Sequence, residues 1–199
     1  MKGSIFLSTK NTAERIIEAA LHLVSEKGYT AATTKAIAEL AGVNEVTIFR
    51  HFGNKRGILK AIIERFSYYP VLQEEINQNV TWELETDLLN FSLKHFNFLM
   101  SIQDFVMIGF KEAMQFPEIN EEIANIPLLI KHELIHYFEE MHRRGKIREL
   151  DVEAAALSLI ALNFGHFMSR ARLGTIVSDM PTEELLKMSV SIFSRGLAP

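Results

Sequence analysis

The chain has 199 residues, no cysteine and a formal net charge of −4, and its hydrophobic residues, 48% of the total, include 14 Phe and 8 Met. This composition excludes a disulfide framework and a thiolate metal site, and it is too apolar for a disordered chain. The 10 Gly and 5 Pro leave few turns, which favours long helices.

Charge is divided unevenly along the chain. Residues 1–66 hold ten lysines and arginines against six acidic residues, a net +4, whereas residues 67–199 hold eleven against nineteen, a net −8. A basic front favours an anionic partner there, although uneven surface composition alone gives the same pattern. The chain begins without the long apolar run of a secretion signal, and its least charged segment is too short for a membrane span. We therefore expect a cytoplasmic protein that makes no membrane contact.

Four short helices are predicted in the front third of the chain. The first carries apolar residues at helical spacing, with Asn11 as its cap and Gly28 at its end. The second starts at Thr33 and Thr34 and runs to Ala41, and the third covers residues 44–52. The fourth carries an apolar stripe that ends before Pro70, namely Ile58, Leu59, Ile62, Ile63 and Phe66.

Longer helices are predicted behind Pro70. Their breaks are marked by Pro117, Pro127, Gly145 and Pro181, which gives the segments 82–100, 103–115, 127–144, 151–172 and 182–196. Strand-like alternation is missing from the sequence, so the predicted fold is all-α. We expect an N-terminal helix-turn-helix domain over residues 1–55 and a larger helical body over residues 56–199, with helix 56–69 as the connector.

The segment TTKAIAELAGVNEVTIFRHFGNK, residues 33–55, has the spacing of a helix-turn-helix. In its second helix Ile48 and Phe52 share one face, while Val46, Thr47 and Arg50 point the other way. A buried face would anchor this helix and leave the opposite face for the major groove. An ordinary three-helix bundle with a polar exterior fits the same pattern.

The front of the chain closely resembles the DNA-binding domain of the TetR family of bacterial transcriptional regulators. The matching features, over about residues 11–66, are Gly28, the pair Thr33-Thr34, IAELAGVN and VTIFRHFGNKRGIL. The resemblance implies a DNA-binding regulator that is not an enzyme and needs no cofactor or metal. The residues that it places at double-stranded DNA are Thr33, Thr34, Lys35, Asn44, Glu45, Val46, Thr47, Phe49, Arg50, His51 and Lys55.

The resemblance also divides these residues by role. It implies base contacts for Glu45 and Val46, with Arg50 as a further candidate, and phosphate contacts for the threonines, Phe49, His51 and Lys55. The sequence departs from the family pattern at two positions. Phe49 stands where tyrosine is frequent, which removes a hydroxyl–phosphate bond. Val46 replaces a small residue or proline and is suited to packing against a thymine methyl group.

For the helical body, the resemblance implies a homodimer on a palindromic operator and a small, largely apolar effector that releases a repressor. The predicted pocket residues are Phe96, Phe105, Phe110, Met114 and Phe164, with polar contacts from His95, Gln103, Asn163 or His166. The predicted dimer interface lies on the last two helices and consists of Ala155, Leu159, Leu162, Gly165, His166, Ser169, Leu185, Met188 and Ile192. Ordinary core packing would also explain these aromatic residues, and residues 151–172 would also suit an internal core helix.

The pentapeptide HELIH at residues 132–136 matches a zinc-peptidase signature, in which two histidines one helical turn apart bind the metal. His142 follows at the spacing of a third ligand. In enzymes of that class a glycine turns the chain back toward the metal, but this chain has Glu139 there. In an unbroken helix His142 points about 80° from His132 and about 120° from His136. A zinc hydrolase is therefore kept as the alternative, and we expect a polar helix face without a metal.

Overall fold

The structure is a computed structural model that describes residues 11–65 and 79–199. These ranges contain helices and no β-strand, which confirms the predicted all-α fold. The predicted residues Phe66 and Pro70 lie outside the described ranges, and the predicted connector helix is described as far as Arg65. The helices are α1 Thr12–Ala31, α2 Thr34–Ala41, α3 Glu45–Phe52, α4 Lys55–Arg65, α5 Leu84–Ser101, α6 Gln103–Ala113, α7 Pro117–Arg143, α8 Val152–Leu173 and α9 Thr182–Leu197.

Local sequence signals set both ends of α1. The Asn11 side chain accepts a hydrogen bond from the Glu14 N–H at 2.9 Å, and the Glu14 carboxylate accepts one from the Asn11 N–H at 3.0 Å. This reciprocal pair is a capping box. Gly28 leaves the helical conformation, with φ 81° and ψ 165°, a region that side chains with a Cβ rarely adopt. The predicted start of the first helix is confirmed, and the predicted end at Gly28 is a break after which helix α1 continues to Ala31.

Two caps and a glycine form the turn between α2 and α3. The Thr33 side chain accepts from the Ala36 N–H at 3.1 Å and caps α2. Gly42 takes the left-handed conformation, with φ 64° and ψ 41°, and ends α2. Asn44 then caps α3 by accepting from the Val46 N–H at 3.1 Å. These contacts produce the predicted helix-turn-helix within residues 33–52.

Helix α7 differs from the prediction at its beginning. It begins at Pro117, and Pro127 lies inside it, so the predicted start at residue 127 was wrong. Proline suits the first position of a helix, where its missing N–H has no partner to lose. Inside a helix it removes one backbone hydrogen bond, and here the helix continues on both sides.

The described chain divides into two compact units. The first contains residues 11–65 together with Met107–Ile123, and the second contains residues 79–106 and Ala124–Pro199. The division differs from the predicted boundary at residue 55, because α4 and the middle segment belong to the same unit as the helix-turn-helix. Buried aliphatic side chains fill the first unit, among them Ile16, Ala20, Ile37, Ile48, Ile58 and Ile62.

In the described part of the second unit, apolar side chains form a larger and a smaller cluster. The larger one includes Leu88, Ile130, Phe138, Met141, Ala156, Leu159 and Val190. The smaller one joins α5, α8 and α9 through Phe96, Leu99, Phe167 and Leu186, with Phe164 and Met168 packed against it. We call the second group the aromatic cluster.

Candidate nucleic-acid interface

Helix α3 has one anchored face and one open face. Ile48 is 0% exposed and holds the helix against the protein, whereas Val46 is 71% exposed and Phe49 is 47% exposed. Arg50 and His51 are also exposed. Val46 and Phe49 are three residues apart on one helix and together expose apolar surface, which fits a surface that meets another molecule. The predicted orientation of this helix is confirmed.

The predicted phosphate-contacting threonines have partners within the protein. The Thr33 oxygen caps α2, and the Thr34 hydroxyl donates a hydrogen bond of 2.6 Å to Oε1 of Glu45. Thr34 and Glu45 are the first residues of α2 and α3, so this bond joins the beginnings of the two helices. The sequence contained no signal for this contact.

Arg15 of α1 fixes the turn that presents α3. Its Nε donates to the carbonyl of Ala41 at 3.1 Å, and its Nη2 donates to the carbonyl of Gly42 at 3.0 Å. A Cβ added at Gly42 would approach Nη2 to 3.3 Å, and it would also have to accept the left-handed backbone. Sequence reasoning missed Arg15, because its carbonyl partners are set by the tertiary fold.

Lys55 lies at the beginning of α4, where the structure gives it partners inside the protein. Its ammonium group donates to the carbonyls of Tyr29 and Thr30 and lies 4.0 Å from the centre of the Tyr29 ring. Burial lowers the pKa of Lys55 below its ordinary value. The predicted phosphate contact by Lys55 therefore competes with the capping of the C-terminal end of α1.

The segment Met107–Ile123 supports the front of the first unit. The Glu112 carboxylate accepts a hydrogen bond of 2.8 Å from the Tyr29 N–H, next to the break at Gly28. Arg56 donates to Glu121 at 2.6 Å and to Glu122 at 3.2 Å. These contacts hold α1 and α4 in place, and α1 and α4 in turn support α2 and α3.

The positive charge of the front is partly used within the fold. Lysines and arginines in residues 11–65 that have ion pairs or internal hydrogen bonds are Arg15, Lys55, Arg56 and Arg65. Exposed cations for which the described chain shows no ion pair are Lys27, Lys35, Arg50 and Lys60. Among these, Lys35 and Arg50 lie on the helix-turn-helix itself.

The structure places the five predicted effector-pocket residues in different surroundings. Phe96 and Phe164 belong to the aromatic cluster, and Phe105 is half-buried in the same unit. Phe110 is 39% exposed and Met114 is 89% exposed, and both belong to the other unit. Met114 follows the last turn of α6, and the assignment of Phe110 and Met114 to the pocket stays a prediction.

Buried polar groups accompany the aromatic cluster on α5 and α8. Ser92 and Asn163 are 0% exposed and His95 is 4% exposed. Neither polar atom of the Asn163 side chain has a hydrogen-bond partner within the described residues. Burial lowers the pKa of His95 to about 4, so its imidazole is neutral at physiological pH. His166, by contrast, has a hydrogen-bond partner, because its Nε2 lies 3.2 Å from the Ser189 hydroxyl.

The predicted dimer face on α8 needs a correction. Ala155 and Leu159 are buried in the core of their own chain, so they were assigned to the wrong side of the helix. The exposed face is shifted by about one residue and carries Ala154, Leu157, Ser158, Ala161 and Gly165. On α9, Leu185 is half-buried and Met188 and Ile192 are 51% and 72% exposed. The predicted Leu162, His166 and Ser169 flank the exposed face and are half-buried.

The histidines of HELIH lie on the surface of α7. His132, His136 and His142 are exposed, and Nδ1 of His136 lies 3.4 Å from the carboxylate of Glu139. Residues 11–65 and 79–199 contain no group of three His, Cys, Asp or Glu side chains that could hold a metal ion. The geometry of these residues gives no support to a zinc hydrolase.

Comparisons with known proteins agree with this geometry. Residues 16–62 match the model of bacterial regulatory proteins of the tetR family, and residues 87–196 match the C-terminal domain of AefR-like transcriptional repressors. The chain is 33% identical over 187 residues to the uncharacterized HTH-type transcriptional regulator YvkB of Bacillus subtilis, which covers 94% of this chain and 97% of YvkB.

Solved structures share the fold. The structure of the transcriptional regulator FadR from Bacillus subtilis, in complex with stearoyl-CoA, matches with a TM-score of 0.67 and 26% identity over 92% of this chain and 98% of that one. Salmonella enterica GusR matches with a TM-score of 0.73 and 21% identity over 92% and 95% of the two chains.

Proposed function

The chain belongs to the TetR family of bacterial transcriptional regulators, and we propose that it is a cytoplasmic homodimeric repressor that a small, largely apolar effector releases from a palindromic operator. The family makes it a DNA-binding regulator and not an enzyme. The observation that carries the proposal is the open face of α3, where exposed Val46, Phe49 and Arg50 stand opposite the buried Ile48.

Contacts to DNA are proposed for the exposed face of α3 and for the beginning of α2. A helix N-terminus presents free N–H groups to a phosphate, and Lys35 adds positive charge beside it. Phe49 and His51 are proposed to pack against the sugar-phosphate backbone on either side of the base contacts. Selecting bound sequences from a random duplex pool tests this, and we expect one enriched motif with two-fold symmetry. Recovery of unrelated sequences at low ionic strength would contradict operator recognition.

The homodimer is proposed to form through α8 and α9. Helix α8 is long and apolar enough by composition to cross a membrane. Only 28% of its most apolar stretch is buried within the chain, so much of its apolar surface is left uncovered. In a DNA-binding regulator, such a helix is more economically covered by a second copy. Leu157, Met188 and Ile192 are exposed along this surface, and close helix approach is favoured by the small residues Ala161 and Gly165. Two-fold symmetry then places the half-sites about one helical turn, or a multiple of it, apart.

A pair of matched substitutions tests this interface. Ile192→Glu places a charge on the proposed surface and should give monomers in sedimentation experiments. Ile176→Glu provides the control, because Ile176 is 87% exposed in the segment between α8 and α9. If both variants sedimented like the wild type, α9 would not belong to the interface.

The effector is proposed to bind at the aromatic cluster. Phe96, Phe164 and Phe167 supply apolar surface, and Asn163 offers a buried amide whose polar atoms need a partner. An unsatisfied buried amide is unfavourable, so a ligand that hydrogen-bonds to it gains stability. The stearoyl-CoA in the related FadR structure suggests long-chain acyl compounds as the first class to test.

The effector proposal is tested on DNA release. Long-chain acyl-CoA should raise the melting temperature and dissociate the protein from its operator, while free coenzyme A should do neither. Asn163→Leu, which retains the apolar volume, should weaken the response without weakening DNA binding in the absence of effector. If no apolar compound shifted the melting temperature or released DNA, the repressor would lack this effector site.

A further inference from the structure

The hydrogen bond between Thr34 and Glu45 restricts a side chain on the proposed DNA face. The Thr34 hydroxyl donates to Oε1 of Glu45 at 2.6 Å, and the pair is partly buried. Oε2 of Glu45 has no hydrogen-bond partner among residues 11–65 and 79–199. One carboxylate oxygen is therefore held by the protein, and the other remains available to accept a hydrogen bond.

Fixing Glu45 before DNA arrives changes how it can act. Glutamate loses much rotamer freedom when it is ordered, so a side chain that is already held avoids that loss on binding. Its place in the first turn of α3 also matches the helix dipole, which favours negative charge there. The carboxylate is consequently held in one position at the beginning of α3, the helix proposed to enter the major groove.

The chemistry of the carboxylate selects among the bases. An ionised carboxylate accepts hydrogen bonds and cannot donate them. In the major groove cytosine presents the N4 amino donor, whereas guanine presents two acceptors, thymine an acceptor and a methyl group, and adenine a donor beside the acceptor N7. A fixed carboxylate therefore fits cytosine and is repelled by guanine and thymine. Because it also faces the negative phosphates, it contributes discrimination more than affinity.

We propose that Glu45 reads a cytosine in each half-site of the operator and that Thr34 is the positioning residue that holds its carboxylate for this contact. The proposal rests on the proposed function, since it names one base that the DNA-binding face selects. It gives Thr34 a role in specificity in addition to the phosphate contact expected for the beginning of α2.

The test measures base preference at one position of the operator. Wild-type protein should prefer cytosine on the order of tenfold over the other bases at one symmetric pair of positions. Glu45→Gln should transfer that preference to adenine, because an amide pairs with adenine N6 and N7. Thr34→Val should reduce the cytosine preference several-fold. Thr34→Ser keeps the hydroxyl and should therefore keep the preference of wild type.

The variants separate positioning from a structural or phosphate role. Loss of a phosphate contact in Thr34→Val would weaken binding to all four base variants equally, whereas loss of positioning changes their ratio. Glu45→Gln keeps the acceptor for Thr34 and so provides an answer even if Thr34→Val does not fold. An unchanged base profile in Glu45→Gln would overturn the inference while leaving the DNA-binding function intact. Failure of wild type to bind any selected duplex would instead refute the proposed function.

Discussion

Acidification should destabilise this protein through His95. The imidazole is 4% exposed, and its burial lowers the pKa to about 4 from an ordinary value of 6.5. Between these two pH values the unfolded chain takes up a proton that the native state does not bind, so stability is lost as the pH falls below 6.5. The full shift corresponds to about 3 kcal/mol, of which about 2 kcal/mol should be lost by pH 5.

The assay compares chemical unfolding of wild type and His95→Leu from pH 7.5 to pH 5 at one protein concentration. Carboxylates also titrate toward the acid end, so the difference between the two proteins isolates the contribution of His95. We expect wild type to lose about 2 kcal/mol more than His95→Leu over this range. His136→Ala is the matched control, because it removes an imidazole whose side chain is 75% exposed and leaves His95 in place. Parallel curves for wild type and His95→Leu would refute the reasoning.

Substitutions at three further residues test the first unit. Lys55→Met should lower the free energy of unfolding by about 1–2 kcal/mol, since the carbonyls of Tyr29 and Thr30 lose a donor; a phosphate contact would also reduce the salt slope of DNA binding by about one. Arg50→Ala should leave stability unchanged and, if Arg50 reads a base, weaken operator binding by about 1–3 kcal/mol at one base position. Glu112→Ala should destabilise the protein by about 1–2 kcal/mol in thermal melts, because the Tyr29 N–H loses its acceptor, and Glu112→Gln should lose less.

The elements that the sequence predicted well are those whose causes lie within a few residues. Asn11 and Glu14 are three residues apart, and Thr33 and Asn44 cap helices that begin at the next residue. Gly28 adopts a positive φ angle that residues with a Cβ rarely take, so a glycine at this position predicts the break in the helix. Such signals depend on local chemistry, and a reader of the sequence can recognise them without knowing the tertiary fold.

Contacts between distant parts of the chain could not be predicted in this way. Arg15 and Ala41 are 26 residues apart, and Tyr29 and Glu112 are 83 residues apart. Nothing in the local pattern distinguishes Arg15, which fixes the turn, from an arginine in solvent. The predicted dimer face of α8 was wrong for a related reason, because apolar and small residues occur on every side of this helix. Its periodicity gives a helix but does not show which side faces the core, as the burial of Ala155 and Leu159 demonstrates.

Lysines and arginines in the front of the chain can attract DNA or make contacts within the fold, and cations used for one purpose are less available for the other. The sequence gives residues 1–66 a net +4, which suggests strong, salt-dependent attraction to DNA. The structure assigns Arg15 and Lys55 to backbone carbonyls and Arg56 to two carboxylates. Arg56 is paired with two carboxylates, and Arg15 and Lys55 already donate to backbone carbonyls, so we expect the salt slope to be smaller than the number of cations suggests. We therefore expect base contacts from the proposed DNA-binding face of α3 to supply a larger share of operator affinity than in a regulator whose cations are all free.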